Sequence, residues 1–108
     1  MNRARFTVAA TLMGQRPADG EPLRVKVVLD THSVSLDDLR FEEIVALRIS
    51  DGSDVPPTAL EQMSGSGHHR EAVVVFATVA GGTPLRLVVK NVGGVSERLF
   101  IWDLPGHR

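Results

Sequence analysis

Apolar side chains recur at every second position in Phe6, Val8, Ala10 and Leu12, and again in Leu23, Val25, Val27 and Leu29. Arg5, Thr7, Ala9 and Thr11 fill the other face of the first stretch, and Arg24 and Lys26 that of the second. A period of two places one set of side chains on one face of a strand, so each stretch predicts a half-buried strand and excludes an amphipathic helix. The apolar runs 44–49, 73–79, 85–89 and 99–102 predict further strands. Turn chemistry separates them: Pro17, Asp19 and Gly20 between the first two, then Asp51-Gly52-Ser53-Asp54, Gly81-Gly82 and Gly93-Gly94.

Strands this short, with turns this frequent, predict an all-β fold, an immunoglobulin-like or cupredoxin-like antiparallel sandwich of about seven strands. With 108 residues the chain forms one core, so residues 1–108 are read as a single domain. Ser35 ahead of Leu36, Asp37 and Asp38 predicts one helical turn near Leu39. Pro56 and Pro57 keep their stretch out of a central strand. Phe100 and Trp102 share one face of the last run and are expected to seal the core, with Leu99 and Ile101 on the other. Pro105-Gly106-His107-Arg108 reads as a frayed terminus.

Twelve Lys and Arg balance thirteen Asp and Glu, and the basic residues are scattered singly. Five aromatic residues and no Tyr argue against a stacking surface, so a nucleic-acid partner is not expected. No apolar run is long enough to span a bilayer, and Met1-Asn2-Arg3-Ala4-Arg5 does not lead into a signal-peptide core. The absence of Cys excludes disulfides, thiolate zinc sites and a Cys nucleophile.

Histidine is where chemistry concentrates. His32 lies beside Asp30, and His68 and His69 follow Ser64-Gly65-Ser66-Gly67, read as a flexible loop. Imidazoles suit copper and zinc, and a carboxylate can complete the set. Asp30 and His32, two apart, share a strand face, whereas His68 and His69 converge only where the backbone is irregular. The metal set read from the sequence is therefore His32, His68, His69 and Asp30, with Asp30 either a ligand or the group that orients an imidazole. Met63, Arg70 and Glu71 stand close enough in sequence to contribute, Met63 as a soft donor favouring copper(I).

Leu29-Asp30-Thr31-His32-Ser33 and Gly67-His68-His69-Arg70-Glu71, followed by the strand from Ala72 to Phe76 and by Glu97-Arg98 to Trp102, resemble the recurring elements of a poorly characterised family of small bacterial and archaeal domains, often exported. The resemblance covers the chain from Leu23 onward. It implies a β-sandwich with His32, His68 and His69 near one another and an extracytoplasmic location, and it names no reaction.

Competing chemistries are weaker. Asp30, His32 and Ser33 hold the residue types of a catalytic triad, but neighbours along a strand do not align into one hydrogen-bonded line. Asp37-Asp38 and Glu42-Glu43 read as solvated acids or helix caps. Arg70 beside a glycine-rich loop can bind an anion, unless Glu71 neutralises it. The expectation is a non-enzymatic domain binding a transition metal, copper ahead of zinc. Its alternatives are a metal-free protein-interaction module that contacts another protein or a second copy, and, more weakly, a metal-dependent enzyme.

Overall fold

The computed structural model describes residues 6–13, 22–31, 35–37, 39–49, 52–77 and 85–102. Their strands follow in the order β1 (Phe6–Leu12), β2 (Leu23–Thr31), β3 (Val45–Arg48), β4 (Asp54–Val55), β5 (Ala59–Ser66), β6 (His69–Phe76), β7 (Leu85–Val92) and β8 (Val95–Trp102), with one helical turn, α1 (Phe41–Ile44), ahead of β3. They form two four-stranded sheets, β1-β2-β6-β5 and β4-β3-β7-β8, in which every pairing is antiparallel. Numbered as strands A, B, C, C′, D, E, F and G, the orders become A-B-E-D and C′-C-F-G. That is the immunoglobulin-like sandwich with β4 as one added strand, which decides between the two sandwich types the sequence left open.

The core comes from the alternation read in the sequence. Val25, Val27 and Leu29 of β2, Val74 and Phe76 of β6, Leu47 of β3 and Leu87 and Val89 of β7 are buried between the sheets. Phe6, Val8, Ala10 and Leu12 of β1 pack against this core half-buried. Phe100 and Trp102 also pack on it, and Leu99 and Ile101 emerge on the opposite face, 48% and 55% exposed. With neither Cys nor Tyr, the sandwich is held by apolar packing without a disulfide.

The outer face of the second sheet carries charge instead. Arg48 of β3 donates to Asp54 of β4 at 2.7 and 3.0 Å and to Glu97 of β8 at 3.1 and 2.9 Å. Lys90 of β7 reaches Asp54 at 2.6 Å, so one network ties all four strands. Hydrogen bonds from Arg48 and then Lys90 hold the Asp54 carboxyl well below the usual carboxylate range, and Arg48 is correspondingly raised.

Three local expectations change. The segment read as a flexible loop is the second half of β5, paired with β6 from Ser64↔Glu71 to Ser66↔His69. Its polar, glycine-containing composition hid a strand; β5 and the two-residue β4 are the two strands that no apolar run of the sequence marks. The helical turn begins at Phe41, two residues past Leu39, and Arg40 precedes it without a side-chain cap. Ser35 instead accepts the Asp37 N–H at 3.1 Å, closing a local turn. Glu42 and Glu43 are surface acids of that helical turn, each paired with Arg40, at 3.0 and 3.5 Å. The expected turns at 14–22 and Gly81-Gly82, the terminus from Pro105, and His32, Ser33 and Asp38 fall wholly or mainly outside the described residues.

Candidate functional site

At one end of the first sheet, β5 and β6 are joined by Gly67-His68, flanked by the pair Ser66↔His69. Gly67 takes φ +66° ahead of His68, the order of a tight II′ hairpin, so the irregular backbone that two adjacent histidines need is supplied by a turn. Gly65 is required for closeness. At φ +88° its backbone runs so near β6 that a Cβ would overlap the His69 carbonyl oxygen.

The turn is held from the side of β2. Thr31 N–H donates to the His68 carbonyl at 2.9 Å, Leu36 N–H to the Gly67 carbonyl at 2.7 Å, and Gly67 N–H to Asp37 Oδ1 at 2.8 Å. Arg70 completes the anchorage. Its Nη1 donates to the Leu36 and Leu39 carbonyls at 3.0 and 2.5 Å, and its guanidinium lies 5.3 Å from the Phe41 ring centroid. Arg70 thus ties the hairpin to the 36–41 segment. It shares the register row of Leu29 and Gly65, on the face opposite His69. Glu71 does not neutralise it but pairs elsewhere.

His69, Glu71, Asp30, Lys26, Ser64 and Ser66 occupy neighbouring register positions on the outer face of that sheet. Asp30 is cross-strand from His69, with Oδ1 2.5 Å from Nδ1. On the other side of the ring, Glu71 Oε1 lies 3.5 Å from Nε2. Ser64 Oγ donates to Glu71 Oε2 at 3.3 Å, and Lys26 Nζ lies 3.9 Å from Oε1. The His69 pKa is raised, first by its hydrogen bond to Asp30 and then by the charges of Asp30 and Glu71. When protonated the ring faces a carboxylate with each nitrogen. When neutral, with Nδ1–H directed to Asp30, it offers the Nε2 lone pair beside Glu71.

Asp30 thus meets His69 across the β2-β6 register. His68 is exposed in the turn, and Met63 is half exposed in the β5 bulge between Glu61 and Ser64. His32 lies outside the described residues. Among the described residues, no three His, Cys, Asp or Glu side chains are grouped to hold a metal ion. Glu71 was legible only from its closeness in sequence to the histidine pair; that it shares a strand face with His69 follows from β6. Lys26 and Ser64 were not, because only the strand register brings them there.

Fold and site together define an immunoglobulin-like sandwich bearing, near one hairpin, an exposed histidine set between two carboxylates. Comparison with protein-family models, with curated proteins and with solved structures gives no match. Among the described residues no helix is long and apolar enough to cross a membrane.

Proposed function

We propose that this chain is a non-enzymatic transition-metal-binding domain that takes copper ahead of zinc. His69 Nε2 and Glu71 are the donors on the open sheet face. His68 in the adjoining turn and His32, the residue after Thr31, are the further ligands, and Asp30 orients the His69 ring. The observation that carries this reading is the arrangement about His69. A metal-bound imidazole characteristically gives its second N–H to a carboxylate, and Asp30 stands 2.5 Å from Nδ1. Two donors each about 2.05 Å from a tetrahedral ion lie about 3.4 Å apart. Nε2 and Glu71 Oε1 are 3.5 Å apart, long for a hydrogen bond and suited to a shared cation. Copper stands ahead of zinc because divalent copper heads the affinity order at nitrogen and oxygen donors. Lys26 is the group an incoming ion displaces from Glu71.

Calorimetric titration of the metal-free chain with copper(II) and with zinc tests this. Stoichiometric binding is expected in the wild type, with tenfold or greater weakening in His69→Ala and His32→Ala and a smaller loss in Glu71→Gln. Because the proton on Nε2 competes with the ion, affinity must rise with pH through the raised His69 pKa, with proton release on binding. Wild-type affinity retained in both histidine variants, or a pH-independent isotherm, refutes the reading.

A second reading has its own observation. Leu99 and Ile101 lie exposed side by side on the outer face of β8, as in a protein-interaction module without metal. A titration without heat, together with a complex lost in Ile101→Lys, favours that alternative.

A further inference from the structure

Four strands form sheet edges, and three of them are blunted. β4 is two residues long, β5 is broken by its bulge and contains Gly65, and β8 carries Glu97 and Arg98. β1 has none of these devices. Its seven residues, Phe-Thr-Val-Ala-Ala-Thr-Leu, include no charge, Pro or Gly, and they pair with β2 in unbroken register. No strand among the described residues pairs its other side.

The direction of its free backbone groups follows from the ladder. Met13 N–H donates to the Arg24 carbonyl at 3.0 Å, and in an antiparallel pair such bonded positions alternate. Thr7, Ala9 and Thr11 therefore bond toward β2, while the N–H and C=O groups of Phe6, Val8, Ala10 and Leu12 point away from it. The strand is also close to palindromic about Ala9. Thr7 mirrors Thr11, Val8 mirrors Ala10, and Phe6 mirrors Leu12.

We propose that β1 is a homodimer edge, pairing antiparallel with β1 of a second copy about a two-fold axis through Ala9 and joining the two β1-β2-β6-β5 sheets into one. In this register Phe6 bonds with the partner's Leu12 and Val8 with the partner's Ala10, so the outward-pointing backbone groups meet each other. Ala9 against Ala9 falls at a non-hydrogen-bonded pair, as the alternation demands. On the core side, the half-buried Phe6, Val8, Ala10 and Leu12 cover their counterparts. On the outer side, Thr7 meets the partner's Thr11, a favourable cross-strand pair. Shifting the register by two residues either way leaves only the overlap of five of the seven residues, so the two-fold arrangement through Ala9 is the longest available. An isologous contact of this kind closes at a dimer.

Cysteine placement tests the register in a chain that has no cysteine of its own. Non-hydrogen-bonded partners have Cα atoms about 4.5 Å apart, within disulfide range. Ala9→Cys is expected to oxidise readily to a cross-linked dimer. Thr7→Cys alone should not, because the two copies of position 7 stand about 13 Å apart along the strands. A mixture of Thr7→Cys with Thr11→Cys should cross-link. Sedimentation of the wild type should show a concentration-dependent dimer of the 11.7 kDa chain. Ala10→Pro should be monomeric with its β spectrum retained, since it removes an N–H that faces away from β2. A monomer at every concentration refutes the proposal, as does Ala9→Cys cross-linking no faster than Thr7→Cys. A dimer that survives Ala10→Pro also overturns it, in favour of another surface such as that around Leu99 and Ile101.

Discussion

Replacing Gly65 with Ala puts one methyl group where the β5-β6 hairpin has no room for it. Gly65 has φ +88°, and its new Cβ would overlap the His69 carbonyl oxygen and lie 3.0 Å from the Arg70 Cα. Both are backbone atoms of the paired strand, so no rotamer change relieves the contact. A left-handed conformation alone costs an L-residue about 1–2 kcal/mol. Relieving the overlap means parting β5 from β6 near the turn, which gives up cross-strand hydrogen bonds worth about 1 kcal/mol each. The expected loss is about 2–4 kcal/mol, a large share of the ~5–15 kcal/mol typical of a small domain. Gly67→Ala is the control. Gly67 also has positive φ, +66°, but a Cβ there meets nothing within 4 Å, so only the conformational cost of about 1–2 kcal/mol applies. Urea unfolding followed by the single tryptophan, Trp102, measures both variants. Equal midpoints for the two would refute the steric argument and mean that the hairpin yields at Gly65 without loss.

Arg70→Ala should destabilise by about 2 kcal/mol, because the Leu36 and Leu39 carbonyls lose a charged donor, and Arg70→Lys should restore only part of this in the same urea assay. Leu87→Ala, at a fully buried position between the sheets, should cost about 2–5 kcal/mol by leaving a cavity. The Asp54 pKa is depressed on folding, so its contribution is present above the usual value of 3.8 and is lost as pH falls through the lower folded value. Asp54→Asn should therefore lower the unfolding midpoint at neutral pH and flatten its acid dependence, and an unchanged acid profile would mean that the Arg48 and Lys90 contacts contribute nothing.

What was legible in the residues was whatever depends on near neighbours. Val25, Val27 and Leu29 face the core because side chains alternate along any strand, and Gly93-Gly94 forms a hairpin turn because both glycines take positive φ. The histidine-rich turn stood out for the same reason, since its residues are consecutive. β5 was hidden because its strand character comes from pairing with β6 and not from its own composition. The role of Arg70 in the fold was not legible, because the carbonyls that its Nη1 meets lie more than thirty residues earlier and only folding brings them to it.

The sequence by itself determined an all-β chain with one apolar core and a histidine cluster, because alternation and turn chemistry are local properties. Tertiary structure alone decided which strands lie side by side. Only the β2-β6 register puts Asp30 against His69, and only the sheet order places β1 at the edge of its sheet among the described residues. Register and order are set by how two apolar faces fit together across the whole core, a quantity to which no single stretch of residues gives access.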